Sequence, residues 1–147
     1  MSHVTTVTVE VRDLDALAAA CRRCGLELVR GQTSYRWYGH HVGDYPLPAG
    51  FAESELGTCQ HAIRVAGSST AYEIGVTARR DGRPGYALIW DFFGRAGSEL
   101  QQHAGPECTK LRQAYSVELA TRQARRQGFT VTEQRQPDGT IRLVARK

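Results

Sequence analysis

The chain has 147 residues, 41% hydrophobic and 23% charged, ordinary proportions for one globular core and far from the charge-rich, apolar-poor balance that keeps chains disordered. No apolar run approaches the roughly 20 residues that span a bilayer, and the four cysteines, Cys21, Cys24, Cys59 and Cys108, are too few for a disulfide scaffold. The formal charge of +4 is mild but uneven: from Pro106 to Lys147 there are nine basic and four acidic residues, so the basic character lies in the last third.

Val4 to Val11 alternates, with Val7, Val9 and Val11 on one side and Thr6, Thr8 and Glu10 on the other, the period of a half-buried strand. Asp13 follows as a helix N-cap, and Leu14, Leu17, Ala18 and Cys21 recur at the spacing of one helical face. Gly25 supplies a stop that can turn left-handed, and Leu26 to Val29 re-enters a strand. Tyr35-Arg36-Trp37-Tyr38 reads as a short strand. The stretch 39–57 holds Gly43, Pro46, Pro48 and Gly50 without any period and reads as a loop insertion. Three strand-like runs, His61 to Val65, Tyr72 to Arg80 and Tyr86 to Phe93, then form an antiparallel meander. Gly105-Pro106 suits a helix entry, and helix formers continue from Glu107 to Gln127 until Gly128. Phe129 to Gln134 and Thr140 to Arg146 flank Pro137-Asp138-Gly139, a turn-forming trio, so the chain closes on a hairpin. The order β-α-β-β-meander-α-β-β predicts an α+β fold: a single largely antiparallel sheet with two helices on one face, one domain over 1–147.

Several of these segments resemble a known family. The opening Met1-Ser2-His3, Arg12-Asp13-Leu14-Asp15-Ala16-Leu17 with Gly25, the strand Tyr72-Glu73-Ile74-Gly75, Tyr115, Gln127-Gly128-Phe129 and the closing Asp138-Gly139-Thr140-Ile141-Arg142-Leu143-Val144 are similar to the family named after hypothetical chloroplast reading frame thirty-five. That family is a domain of unknown function in cyanobacteria, plastids and other bacteria. The resemblance transfers no active site. Its members often lie beside genes for a MoxR-like AAA ATPase, a ferredoxin or another small uncharacterised protein, which implies an accessory or adaptor role with a protein partner, an AAA ATPase assembly being one candidate.

The residues carry no catalytic signature. Cys21-Arg22-Arg23-Cys24 has the two-residue gap of zinc and redox sites, which makes Cys21 and Cys24 weak metal candidates, but Cys21 also continues the apolar face of the first helix, where a buried cysteine is a small hydrophobe. Cys59 and Cys108 have no paired spacing, so no metal and no cofactor is expected. His40-His41 beside Asp44 and Tyr45 offers imidazoles in a loop, and no serine stands in a nucleophile elbow. Asp91, within Ile89-Trp90-Asp91-Phe92-Phe93, is expected opposite Trp90, facing water or pairing with Arg79 or Arg80.

Two surfaces remain as partner sites. Trp37 and Tyr38 lead an aromatic cluster around the loop, its alternate members serving the core. Arg122, Arg125 and Arg126, with Arg142 in the hairpin, form a basic C-terminal face that could grip acidic partners or nucleic-acid phosphates. Aromatics are not interleaved among those arginines as base stacking requires. The first expectation is a non-enzymatic, cytoplasmic adaptor; the alternative is a nucleic-acid-binding module.

Overall fold

The computed structural model describes residues 4–41, 43 and 46–147, with the side chains of 5–10 left aside; the expected contributions of Val7, Val9, Asp44 and Tyr45 lie outside what is described. In chain order the elements are β1 (Val4–Val11), α1 (Leu14–Arg23), β2 (Leu26–Arg30), β3 (His61–Val65), β4 (Ile74–Ala78), β5 (Tyr86–Asp91), α2 (Gly94–Ala104), α3 (Thr109–Arg126), β6 (Thr130–Arg135) and β7 (Ile141–Arg146). Five strands form an antiparallel sheet in the order β1-β5-β4-β3-β2, and β6 and β7 form a second. The α+β class stands as the sequence predicts it.

Local chemistry accounts for these elements. Asp13 Oδ1 accepts the Ala16 N–H at 2.9 Å and starts α1 as an N-cap. The buried hydroxyl of Tyr115 on α3 accepts the N–H groups of Arg12 and Asp13 at 3.2 and 3.3 Å, so the two helices are tied at the point where α1 begins. Gly25 follows α1 at φ +71°, the left-handed turn a side chain would resist.

Alternation divides the main sheet into two faces. On one, Leu26, Ile63, Ile74, Val76, Leu88 and Trp90 share a core with Leu17, Ala20 and Cys21 of α1, Leu100 and Ala104 of α2, and Leu111, Ala114 and Tyr115 of α3. On the other, Val4, Ala62 and Ile89 pack against Tyr35, Phe51 and Leu56 from the long segment between β2 and β3. The helices therefore lie on one face, as expected, and an irregular segment covers the opposite one.

Three details depart from the expected arrangement. Among the described residues there are three α-helices, α1, α2 and α3, rather than two. The glycines at 94 and 97 weaken helix propensity, yet Gly97, Leu100 and Ala104 line the buried side of α2, and a Cβ at Gly97 would come within 2.4 Å of the Phe92 carbonyl carbon, so the glycine permits the helix's close approach to the end of β5. The α2–α3 corner then uses a 3₁₀ turn, Pro106–Cys108, with Glu107 and Cys108 left-handed at φ 52° and 57°, and α3 starts at Thr109. The closing hairpin, with the predicted turn, forms its own two-stranded sheet instead of joining a single one: α3 runs in the helical layer, so the chain emerges on the helices and away from the sheet edges. Finally, Tyr35 to Tyr38 does not form the expected strand; an isolated bridge between Ser34 and Thr58 stands just before it.

Candidate functional site

The segment that failed to become a strand bends at Trp37, and its backbone is held by carboxylates. The Arg36 N–H donates to Glu73 Oε1 at 2.8 Å, the Glu73 N–H returns a bond to the Arg36 carbonyl at 2.9 Å, and the Tyr38 N–H donates to Asp91 Oδ2 at 3.2 Å. Asp91 also accepts the Phe93 N–H at 3.0 Å. Both acids are buried, Asp91 completely, which corrects the expectation that it faces water. Arg79 and Arg80, its expected partners, form ion pairs with Asp81 and Glu55. A buried carboxylate needs hydrogen-bond donors, and here backbone N–H groups of the covering segment supply them.

With the backbone so anchored, side chains alternate. Tyr35 is buried over Gly75, where a Cβ would meet its ring at 2.6 Å, and burial pushes its hydroxyl up to about 12. Trp37 is half-buried and lies against Gly57, a Cβ there falling 2.5 Å from Trp37 Nε1. Tyr38 is 40% exposed, its ring 4.7 Å from that of His40. Trp37, His40, His41, Glu53 and Leu56 help to line a shallow cleft of about 530 Å³. Leu47, 38% exposed, belongs to the same cover; among the described residues it and Tyr38 are the exposed large hydrophobic side chains.

The other predicted residues lie elsewhere. Arg122, Arg125 and Arg126 stand on α3 and Arg142 on β7, in the layer on the far side of the main sheet from Trp37 and Tyr38. Glu118 lies 3.7 Å from Arg122 and 2.8 Å from Arg23, and Asp13 lies 3.9 Å from Arg126. The basic face is thus threaded with acids, while Arg125 and Arg142 remain exposed.

The cysteines separate as well. Cys21 and Cys108 are buried in the core, and burial raises both thiols to about 12. Cys24 is half-buried at the end of α1, its thiol also raised by burial, and Cys59 belongs to the opposite face, raised to about 11 by burial. All four are free thiols. Among the described residues no group of three or more His, Cys, Asp or Glu side chains is arranged to hold a metal ion, and no helix is long and apolar enough to cross a membrane.

Sequence reasoning missed the anchoring role of Glu73 and Asp91. The legible signal was a pair of acids in otherwise apolar runs; their donors from the covering segment lie 37 and 53 positions away, and no local pattern names those.

Fold and site together define an α+β protein with a covered sheet and an aromatic outer face. Residues 50–144 match a family described as a protein of unknown function, DUF1257, and the chain belongs to that family. The match begins in the covering segment and runs through the meander, α2, α3 and most of the hairpin. No curated protein and no solved structure matches the chain.

Proposed function

We propose that this chain is an accessory or adaptor protein that binds a protein partner through the face formed by Trp37 and Tyr38. The observation that carries this reading is the placing of Tyr38, exposed, beside half-buried Trp37 on a segment whose Arg36 and Tyr38 N–H groups are held by Glu73 and Asp91. Aromatic anchors on a fixed backbone bind at low entropic cost, which is the character of interface hot spots. The resemblance to the chloroplast reading-frame family supports the same reading, since its members' gene neighbours include an AAA ATPase, and an ATPase assembly is the first partner to look for. The residues point to the cytoplasm as the compartment.

The nucleic-acid reading is weaker. Glu118 and Asp13 sit among the helix arginines and offset part of the field that would attract phosphates.

The test is recovery of the lightly tagged chain, expressed at native level in its own cell, with mass spectrometry of what co-purifies. One abundant protein retained by the parent chain and lost from the Trp37→Ala/Tyr38→Ala variant, with the variant's unfolding midpoint near the parent's, is the expected result. Absence of any retained protein, or retention that the double substitution leaves unchanged, overturns this assignment of the face. Salt-sensitive binding of single-stranded nucleic acid abolished by Arg125→Glu/Arg126→Glu would establish the alternative instead.

A further inference from the structure

The closing hairpin is fastened to the helices at two polar clamps. Arg23, at the end of α1, bonds Glu118 of α3 through Nε at 2.8 Å and grips both carboxylate oxygens of Glu133 on β6. Gln113 of α3 donates through Nε2 to the Gly139 carbonyl in the hairpin turn at 2.9 Å. Between the clamps lies a cleft of about 690 Å³ whose wall includes Arg23, Cys24, His103, Lys110, Gln113 and Arg135. Its size falls within the range of sites for small molecules, and it is larger than the cleft beside Trp37.

The wall is cationic and rich in hydrogen-bond donors, with no carboxylate in its lining. Arg23 is already matched by Glu118 and Glu133. Lys110 and Arg135 are the wall's cations that no carboxylate clamps among the described residues. Lys110 directs one donor to the Gln102 carbonyl at 3.4 Å, and an ammonium has three. His103 lies with Nδ1 3.2 Å from the Cys24 carbonyl, an approach that Gly25 permits, since a Cβ there would stand 3.0 Å from that nitrogen. Because a carbonyl only accepts, Nδ1 carries the proton in this contact. His103 and Lys110 thus each take up one carbonyl at the C-terminal ends of α1 and α2.

We propose that this cleft is a binding site for a small oxyanionic ligand, whose phosphate or carboxylate group is held by Lys110 and Arg135 between the helical layer and the hairpin. The site stands apart from the aromatic face and does not depend on the adaptor reading. Cations on two separate elements, α3 and β6, line one concave surface, and an anion that bridged them would join the elements and stiffen the hairpin.

Cys24 supplies a reporter, since it lines the cleft, whereas Cys59 is a half-buried thiol on the other face. The experiment follows alkylation of the intact chain by uncharged iodoacetamide, thiol by thiol, by peptide mass spectrometry in inorganic phosphate, acetate or chloride at matched ionic strength. The expected result is a saturable, several-fold slowing at Cys24 and none at Cys59. The slowing is lost in Lys110→Ala/Arg135→Ala and kept in Arg135→Lys. Slowing by phosphate alone assigns a phosphorylated ligand, and equal slowing by acetate a carboxylate. No slowing by either, equal slowing at both thiols, or slowing that survives the double alanine variant overturns the site. An unchanged Cys59 rate in the variants shows that they are folded.

Discussion

Gly75 is a small residue with a large steric consequence. It lies in β4 with ordinary strand geometry, so its role is space: a Cβ there would stand 2.6 and 2.8 Å from two ring carbons of Tyr35 and 2.9 Å from Ile89. Gly75→Ala is expected to cost about 1–3 kcal/mol, the range for overpacking a tight core, and less where Tyr35→Leu has already relieved the contact. Urea unfolding of the two single variants and the double variant measures this, and additive losses would show that the ring and the glycine are uncoupled. The buried acids of the thiol and phenol type make a second prediction. Burial raises Cys21 and Cys108 from 9.0 to about 12, and Tyr35 from 10.0 to about 12. Below the ordinary values both folded and unfolded chains keep these protons, and the contribution to stability is complete. As pH climbs through the window up to about 12, the unfolded chain loses protons that the native chain retains, so stability falls. The urea midpoint should therefore drop from about pH 8 to about pH 10.5, and drop less in Cys21→Ala.

Among the elements, the hairpin depends most on its neighbours. None of its residues is fully buried, and a two-stranded hairpin alone is marginal in water. The Arg23 clamp lowers the Glu133 carboxyl below its ordinary 4.5, the hydrogen bond from Arg23 being the leading cause. The sign follows from linkage: the clamp's contribution is present above the ordinary carboxylate range and is lost as pH falls through the depressed native value. Amide exchange in β6 and β7, corrected for intrinsic rates and compared with the main sheet, should accelerate as pH falls below the ordinary 4.5 of a glutamate. Arg23→Met should show the faster exchange already at neutral pH. Exchange of the hairpin in step with the main sheet at both pH values would mean that the clamp does not govern its opening. The segment around Trp37 is held by the opposite device, carboxylates rooted in the meander that act on a passing backbone, and it owes less to its own sequence than the hairpin does.

Across the whole molecule, the main sheet separates two chemistries. On one side the cover presents Trp37, Tyr38 and Leu47; on the other, α3 and the hairpin carry arginines interleaved with acids, with the cationic cleft between them. Partner loss on Trp37→Ala/Tyr38→Ala and anion protection of Cys24 are therefore expected to be independent, because the substitutions and the ligand act on opposite sides of the five-stranded sheet. The amino-acid sequence by itself determined what is local: the alternation of the strands, the Asp13 cap, the Gly25 and Gly128 stops, the turn at Pro137-Asp138-Gly139, and the α+β class with its helices on one face. These depend on backbone preference and on the period of apolar residues, which neighbouring positions encode. It also marked Trp37 and Tyr38 as members of an aromatic cluster of which alternate residues are core. α2 was concealed by Gly94 and Gly97, whose helix is stabilised by packing on Phe92 and the core instead of by propensity. Only the tertiary structure decided that Glu73 and Asp91 anchor the cover, that the hairpin stands on the helices as its own sheet, and that Lys110 and Arg135, 25 positions apart, face one cleft. Each of these is a pairing of a donor with an acceptor, or of a charge with a cavity, across long stretches of chain, and such pairings exist only once the chain has closed on itself.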